Sequence, residues 1–267
     1  GDIVYSSSHI IDKVRPNIAV DKLVALMDAE GVTFELLRAA LPSFKDVRVH
    51  VVGDTIVDSY TYCSLIGGNA KTPTYSVKYE QQVDFAGGAA VVARHLRAAG
   101  SSVHFSTILG DDPVKEFVLG ELKLSGVDCH AVTDYSRPTT QKNVFLANGY
   151  RMLKVDKLEN QPISGKILEQ IKAQITDTTD VDTVIFSDFR HGIFSRSTIP
   201  ALIGCIPPGV LRVADSQVAS RWGNILEFHG FDIITPNERE ARFALGDQDT
   251  VVRPLALKLY QAAGCKT

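Results

Sequence analysis

Two carboxylates and a pair of glycines are the residues best suited to hold a small ligand. Gly53-Asp54-Thr55-Ile56-Val57-Asp58 places two acids four residues apart, directly after an apolar run. Ionised carboxylates accept strong hydrogen bonds from hydroxyl groups, although Asp54 capping a turn, with Asp58 in solvent, fits the same pattern. Gly87-Gly88 opens a predicted helix, where backbone N–H groups can approach an oxyanion. A tight strand-to-helix turn explains that pair equally well.

Three later predicted strands also end in polar side chains. One ends at Ser187-Asp188, a second at Asp215, and the third runs into a helix that carries Asn237 and Glu240. The carboxyl ends of parallel strands meet at one edge of a sheet, where ligands bind. Asn237 and Glu240 share a helix face, and oxygen ligands in such a place suit Mg²⁺. A capping box uses the same three-residue spacing.

Lysine, histidine and cysteine give weaker signals. Lys142 and Lys154 fall on predicted strands and could reach a substrate phosphate, although most lysines are simply solvated. The seven histidines show no metal-ligand spacing along the sequence, so no zinc site is predicted. The four cysteines are scattered without a C-x-x-C pair, which favours free thiols in a reducing cytoplasm.

Alternating strands and helices must position these residues. The predicted strands are residues 47–52, 75–85, 103–108, 127–132, 140–146, 152–155, 183–187, 210–214 and 232–235. Helices are predicted for 87–99, from 110 onwards and for 163–175, and two short ones within 19–41. The alternation indicates an α/β fold, a mainly parallel sheet with helices on both faces. Segments 75–85 and 127–146 break the alternation and predict a small separate sheet, a β-lid. The first strand is predicted to end in a loop that holds both Asp54 and Asp58.

Composition excludes two classes of partner. The chain has 267 residues, 45% hydrophobic and 22% charged, with a net charge of -3. Without a basic stripe we expect no binding to nucleic acid, and without a long apolar run we expect no membrane span. Three parts are predicted: 1–12, the tail of an upstream domain; 13–45, a helical linker; and 46–267, the main domain.

Taken in order, the motifs resemble those of the ribokinase-like (PfkB) carbohydrate kinases. The resemblance is strongest to the heptose-7-phosphate kinase part of bifunctional ADP-heptose synthases. It rests on Val51-Val52-Gly53-Asp54, Phe85-Ala86-Gly87-Gly88-Ala89-Ala90, Leu109-Gly110-Asp111-Asp112, Arg137-Pro138-Thr139-Thr140-Gln141-Lys142, Ser187-Asp188 and Thr235-Pro236-Asn237-Glu238-Arg239-Glu240. It implies a Rossmann-like domain with a β-lid that pairs two subunits, ATP, Mg²⁺, and phosphoryl transfer to a hydroxyl of a sugar or sugar phosphate.

The resemblance also implies roles for individual residues. The residues on the substrate side are Asp54, Asp58, Gly87, Gly88, Lys142 and Lys154, the two lysines being candidates for a sugar phosphate. Those on the nucleotide side are Asp188, Asp215, Asn237 and Glu240. Among them Glu240 is the expected metal residue, acting on Mg²⁺ through water.

Three departures from the family pattern affect what we expect. Val91 stands where the family usually has a sugar-binding Asn, and Asp215-Ser216-Gln217 where many relatives have Asp-Pro-Lys. The Gly-Ala-Gly-Asp segment that holds the family's catalytic Asp does not occur in these 267 residues. We therefore assign no catalytic residue, expect the base and the C-terminal part of the fold beyond Thr267, and expect this chain alone to be inactive.

A short N-terminal motif suggests a second activity. Tyr5-Ser6-Ser7-Ser8-His9-Ile10 resembles the closing Ser-Ser-Thr-x-Ile motif of cytidylyltransferase-like nucleotidyltransferases. Heptose synthases pair that activity with the kinase, so a bifunctional enzyme of activated-heptose synthesis is the main hypothesis. Two alternatives stay open: a ribokinase-like kinase for another sugar or a nucleoside, and a sugar- or nucleotide-binding module that has lost catalysis.

Overall fold

The computed structural model describes residues 18–68, 74–218 and 225–267. The chain separates into two compact units, Gly1–Lys45 and Asp46–Thr267. The predicted tail 1–12 and its motif lie outside the described residues. In the first unit, helices α1 (Ile18–Glu30) and α2 (Phe34–Ala40) lead to a 3-10 helix, Leu41–Asp46. The two helices predicted within 19–41 are confirmed, and the linker role of 13–45 stays a prediction.

The second unit contains two sheets and six α-helices within the described ranges. Its strands are β1 Arg48–Gly53, β2 Thr55–Gly68, β3 Tyr75–Gly88, β4 Ser102–Leu109, β5 Asp128–Thr133, β6 Gln141–Ala147, β7 Tyr150–Lys157, β8 Thr183–Asp188, β9 Leu211–Ser216 and β10 Ile233–Ile234. Its helices are α3 Ala89–Ala99, α4 Pro113–Leu124, α5 Gly165–Asp177, α6 Thr198–Ile203, α7 Glu238–Leu245 and α8 Val252–Ala263, with a 3-10 helix at Ile225–Phe228. No helix in the described ranges combines the length and the apolar character that crossing a bilayer requires.

The main sheet has six strands in the order β10-β9-β8-β1-β4-β5. Every pairing in it is parallel, as predicted. Alternate side chains of β1 enter two separate cores: Val49 and Val51 pack with α3 and α4, and Val52 packs with α5, α6 and α8. Helices therefore cover both faces, because a parallel strand in the middle of such a sheet is apolar on both sides.

The second sheet, which we call the lid sheet, has the order β3-β2-β6-β7. Strand β2 corrects the expectation that the first strand ends in a loop holding both acids. The chain passes through Asp54 straight into β2, so Asp58 lies inside a lid strand and only Asp54 lies at the end of β1. The β-branched and aromatic residues of 55–63 favour a strand, and that signal outweighs the turn indicated by Gly53-Asp54.

Strand β5 corrects a second expectation. Segment 127–146 was expected to belong to the lid as a whole, but β5 pairs in parallel with β4 and forms one edge of the main sheet. Strand β6 does join the lid, beside β2. Helix α4 connects β4 to β5, so the three elements form a β-α-β unit with two parallel strands. Consecutive strands of such a unit usually lie side by side, joined by a right-handed crossover.

Candidate functional site

The carboxyl ends of four strands bring polar residues to one edge of the main sheet. Gly53 of β1 is in register with Ser187 of β8, and Asp188 of β8 with Ser216 of β9. Later strands extend the sheet on one side of β1 while β4 and β5 extend it on the other. Such a change of direction opens a crevice at the carboxyl edge, and the predicted convergence of strand ends is present there.

Asp54 is enclosed at the bottom of this edge. Its side chain is buried, and its Oδ2 accepts hydrogen bonds from the backbone N–H of Phe189 at 3.0 Å and of His191 at 3.1 Å. Oδ1 accepts a longer bond from the N–H of Ile193 at 3.4 Å. Burial raises the pKa of Asp54, and the three N–H donors oppose that rise. The carboxylate thus fixes the loop that follows β8.

Asp58 lies on the lid sheet beside the glycine pair. On β2 it is in register with Phe85 of β3 and Lys142 of β6. A Cβ on Gly87 would come 2.5 Å from the Asp58 Oδ2, so a larger residue there would have to displace that carboxylate. Gly88 has φ 60 and precedes the first residue of α3, which confirms the predicted helix start. Asp58, Gly87 and Lys142 are therefore brought together, as expected.

Two lysines and two acids share one face of the lid sheet. Lys142 is in register with both Asp58 and Asp156, and Lys154 lies two residues from Asp156 on β7. Lys154 Nζ is 3.4 Å from the Asp156 Oδ2. Burial and the neighbouring Lys154 lower the pKa of Lys142, while Asp156 and Asp58 oppose that fall. Two ammonium donors beside two carboxylate acceptors suit a ligand that carries both an anionic group and hydroxyl groups.

His191 belongs to this cluster and was missed from the sequence. Its Nδ1 donates to the Asn160 Oδ1 at 2.7 Å, and its buried Nε2 has no hydrogen-bond partner among the described residues. Burial first, and then Lys142 and Lys154, lower the pKa of His191 to about 4. The ring is therefore neutral near pH 7 and presents Nε2 as an acceptor. The sequence around His191 does not indicate a binding role, because the residues that surround its ring, such as Asn160 and Lys142, come from distant parts of the chain.

Asp188 is fully buried in a charged network. Its Oδ1 accepts from the backbone N–H of Arg190 at 2.8 Å, and its Oδ2 from the Ser216 hydroxyl at 2.9 Å. The guanidinium of Arg190 lies 3.0 Å from Oδ2. Burial raises the pKa of Asp188 to about 7; Arg190 opposes this rise and nearby Asp54 adds to it. The network ties the ends of β8 and β9 together.

The remaining predicted residues lie at the ends of β9 and β10. The Thr235 hydroxyl donates to the Asp215 Oδ1 at 3.0 Å, and burial raises the pKa of Asp215. At the start of α7 the Asn237 N–H donates to the Glu240 Oε2 at 2.8 Å, and the Glu240 N–H to the Asn237 Oδ1 at 3.0 Å. The capping box is therefore formed. A mainly apolar cavity of about 280 Å³ adjoins Asn237.

Sequence comparison matches the chain to a family of carbohydrate kinases. The model of the pfkB family carbohydrate kinases matches residues 47–266. The bifunctional protein HldE of Desulfatibacillum aliphaticivorans is 29% identical over 233 residues, 84% of this chain and 46% of that protein. The D-beta-D-heptose 7-phosphate kinase of Bordetella bronchiseptica is 30% identical over 202 residues, 74% of this chain and 62% of that protein. The chain thus spans less than half of the first relative and under two thirds of the second.

Comparison of structures gives the same fold. Phosphofructokinase-2 from Escherichia coli in complex with substrates and products has a TM-score of 0.65 at 17% identity, over 82% of this chain and 71% of that chain. Arabidopsis thaliana ribokinase complexed with ribose and ATP has a TM-score of 0.59 at 19% identity, over 81% and 69%. The ribokinase-like fold is thereby shown. Since the family model also covers residues 47–266, the chain belongs to the pfkB family of carbohydrate kinases.

Proposed function

We propose that this chain supplies the sugar phosphate side, and part of the nucleotide side, of a kinase that phosphorylates a heptose phosphate. The observation that carries this proposal is the group formed by Lys142, Lys154 and His191 across from Asp58. It combines positive charge for a phosphate with acceptors for hydroxyl groups. Family membership and the heptose kinases among the relatives support the same assignment.

On the sugar side, each residue has a distinct task. Asp58 accepts hydrogen bonds from sugar hydroxyls, and the small Gly87 leaves room for the ring beside it. Lys142 and Lys154 bind the phosphate that the substrate already carries. Asp54 acts by holding the loop that presents His191, since its oxygens already accept backbone N–H groups.

On the nucleotide side, we assign ATP and Mg²⁺ to the ends of β9 and β10. The donor set fits, because Mg²⁺ takes oxygen ligands and keeps several waters. Asn237 and Glu240 offer oxygens at a helix N-terminus, where phosphate is also favoured, and Asp215 lies on the neighbouring strand end. Bound Mg²⁺ would neutralise charge on the transferred phosphoryl group. Fully buried Asp188 acts only by tying the ends of β8 and β9 together.

We also propose a homodimer formed through the lid sheet. Apolar side chains are exposed along it, including Tyr75, Tyr79 and Leu153. An apolar groove of about 300 Å³ runs between β2, β3, β6 and β7 and is lined by Leu153. A second copy of the same sheet would cover such a surface.

The cysteines support a cellular location for the protein, and the bifunctional relatives support a second activity. The four cysteines are all free thiols, which suits the reducing cytoplasm that we propose for this protein. The nucleotidyltransferase activity suggested by the N-terminal motif fits the bifunctional relatives.

A second candidate is a kinase for another sugar. It is favoured by Val91, which stands near the start of α3 where the family usually has a sugar-binding Asn. The two candidates share the site and differ in the ligand that it prefers.

Calorimetric titration with a panel of ligands tests the proposal. The panel contains heptose 7-phosphate, fructose 6-phosphate, unphosphorylated heptose, ribose and a nucleoside. We expect the sugar phosphates to bind, heptose 7-phosphate most tightly, and unphosphorylated heptose to bind more weakly. Tighter binding of fructose 6-phosphate would favour the second candidate. Preference for ribose or the nucleoside, or no binding of any sugar phosphate at millimolar concentration, would overturn the assignment.

A further inference from the structure

Three side chains of metal-ligand type meet on the main sheet, apart from the sugar site. His104 lies on β4, and Asp128 and His130 lie on the edge strand β5. The Asp128 Oδ2 is 2.7 Å from the His104 Nδ1 and 3.1 Å from the His130 Nε2. The three ligand atoms all lie within 4.8 Å of one another. We propose that this triad is a binding site for Zn²⁺.

Strand pairing builds the triad. His104 is in register with Asp128, and Ser106 with His130, in the parallel pair of β4 and β5. Residues in register share a face of a sheet, and so do residues two apart on one strand. The rings of His104 and His130 are 6.1 Å apart between centroids. The backbone therefore places all three ligands on one face without the help of a loop.

The donor set matches the chemistry of zinc. Zinc takes imidazole nitrogen and carboxylate oxygen at about 2.0–2.2 Å, so two tetrahedral ligands stand about 3.4 Å apart. The separations of 2.7 and 3.1 Å reach that value with small side-chain movements. Mg²⁺ requires oxygen ligands in near-octahedral geometry and is a poor competitor here. Partial exposure of all three side chains leaves an entry path and a fourth position for water.

The surroundings of the triad supply unsatisfied acceptors and negative charge. The triad lines a cavity of about 420 Å³ whose other wall includes Gln174, Asp177 and Asp180. The Gln174 Oε1 is buried and has no hydrogen-bond partner among the described residues, so it could accept from a water on the metal. Asp180 pairs with the guanidinium of Arg48, whereas Asp177 adds a carboxylate to the same wall.

His50 adds a second unsatisfied group beside the triad. It is only 1% exposed, and its ring is 6.4 Å from that of His104 on the neighbouring strand. Its Nε2 bonds with the Ser106 hydroxyl at 2.8 Å, while its buried Nδ1 lacks a hydrogen-bond partner among the described residues. Buried polar atoms without a partner are rare in native structures, and a bound ion with its waters would give partners to the atoms beside this row of three histidines.

The position of the triad indicates a stabilising role. His104 lies five residues before Leu109, the residue that ends β4 at the carboxyl edge of the main sheet. Five strand residues span about 16 Å, which is the distance along β4 from His104 to that edge. A zinc ion there would be remote from phosphoryl transfer. It would join the edge strand β5 to β4, and a metal that binds only the folded chain raises its apparent stability.

Zinc titration of the 267-residue chain tests the site. The chain is stripped with a chelator, its thiols are blocked with N-ethylmaleimide, and ZnCl2 is titrated calorimetrically in buffer containing Mg²⁺. We expect one zinc per chain. His104→Ala and His130→Ala should each weaken binding about 100-fold or more, since even loss of an outer-shell partner costs roughly 10–100-fold. His95→Ala, at an exposed histidine of α3 outside the triad, should bind as the parent does.

Two further measurements separate a built site from weak surface binding. Co²⁺ in place of zinc should give the visible absorption bands of a four-coordinate ion in the parent and none in Asp128→Asn. Zinc should raise the melting temperature of the parent and of His95→Ala, but not of the triad variants, whose folding is checked by circular dichroism. Binding well below one zinc per chain, or equal zinc affinity in His104→Ala and His95→Ala, would overturn the proposal.

Discussion

Asp54 and Asp58 show how one residue type takes two roles four positions apart. The carboxylate of Asp54 is buried under three backbone N–H groups. That of Asp58 lies on the face of the lid sheet that carries Lys142 and Lys154. The sequence predicts one site for both acids, and that stays a prediction. It could not separate their roles, because the donors to Asp54 come from residues more than 130 positions away.

His191 gives a residue-scale prediction about pH. Its pKa is lowered to about 4 in the folded chain, against about 6.5 when unfolded. The unfolded state therefore binds more protons between these values, and folding stability is lost as pH falls through that window. For this one group the loss between pH 7 and pH 5 is about 2 kcal/mol. In His191→Gln we expect the loss on acidification to be smaller by that amount, measured by urea unfolding at both pH values.

The control for this prediction is His95→Gln, at an exposed histidine. It should lose as much stability on acidification as the parent does. Other groups facing His191, namely Lys142, Lys154 and Asp156, are unchanged in both variants. Equal losses in the parent and in His191→Gln would show that His191 is not held neutral by its surroundings.

At the scale of elements, the start of α7 combines a cap with a proposed metal site. The Asn237 and Glu240 capping box is formed, and Gln can replace Glu in such a box. Glu240→Ala should therefore lower the free energy of unfolding by about 1 kcal/mol, whereas Glu240→Gln should keep it. If Glu240 also supports Mg²⁺, Glu240→Gln should raise the Mg²⁺ concentration needed for half-maximal binding of a fluorescent ATP analogue. An unchanged Mg²⁺ requirement in Glu240→Gln would leave the residue with the capping role alone.

Substitution of glycine by alanine should have opposite effects on stability at Gly53 and at Gly120. A Cβ on Gly53 would meet the backbone oxygen of Ser187 and lie 2.6 Å from the Ala89 Cβ. Because these neighbours belong to β8 and α3, Gly53→Ala should lower stability by about 2 kcal/mol or more, or prevent folding. Gly120 lies inside α4 with open space around it, so Gly120→Ala should raise stability by about 0.5–1 kcal/mol. Thermal melts of both variants check this pair, and a stable Gly53→Ala would contradict the close packing of β1.

Local sequence patterns predicted where helices and strands begin better than they predicted which strands pair with each other. The helix starts at Gly88 and Asp112 were predictable, because glycine, aspartate and proline act on neighbouring residues. Strand β5 was placed in the wrong sheet, since nothing within it indicates which strand it will join. The triad of His104, Asp128 and His130 went unseen for the same reason: it depends on the register between two strands.

At the scale of the whole second unit, two cores and a lid define the site. The parallel sheet holds Asp54, Asp188 and Asp215 at its carboxyl edge, and the lid sheet carries Asp58 with its two lysines. The chain passes between the two sheets from β1 to β2, from β3 to α3, from β5 to β6 and from β7 to α5. The Thr55 hydroxyl of β2 also lies 2.8 Å from the Thr107 hydroxyl of β4.

The proposed dimer makes a prediction at this scale. Leu153→Asp places a charge in the apolar groove of the lid sheet, so the parent should sediment as a dimer and this variant as a monomer. Leu124→Asp is the matched control, because Leu124 is also strongly exposed but ends α4, outside the lid. It should remain dimeric. Analytical ultracentrifugation measures all three proteins, and a monomeric parent, or equal dissociation of both variants, would refute the lid interface.

Binding of heptose 7-phosphate to Asp58→Asn is the most direct measurement of the sugar site. Loss of a charged hydrogen bond to a ligand costs about 1.5–3 kcal/mol, roughly 10- to 150-fold in affinity. Asp84→Asn is the matched control: Asp84 lies next to Phe85 on β3 of the same hairpin and faces the opposite side of the lid sheet. We predict that calorimetry shows this loss for Asp58→Asn and parental affinity for Asp84→Asn. Equal affinities of the parent and Asp58→Asn, or loss in both variants alike, would contradict a sugar site at Asp58.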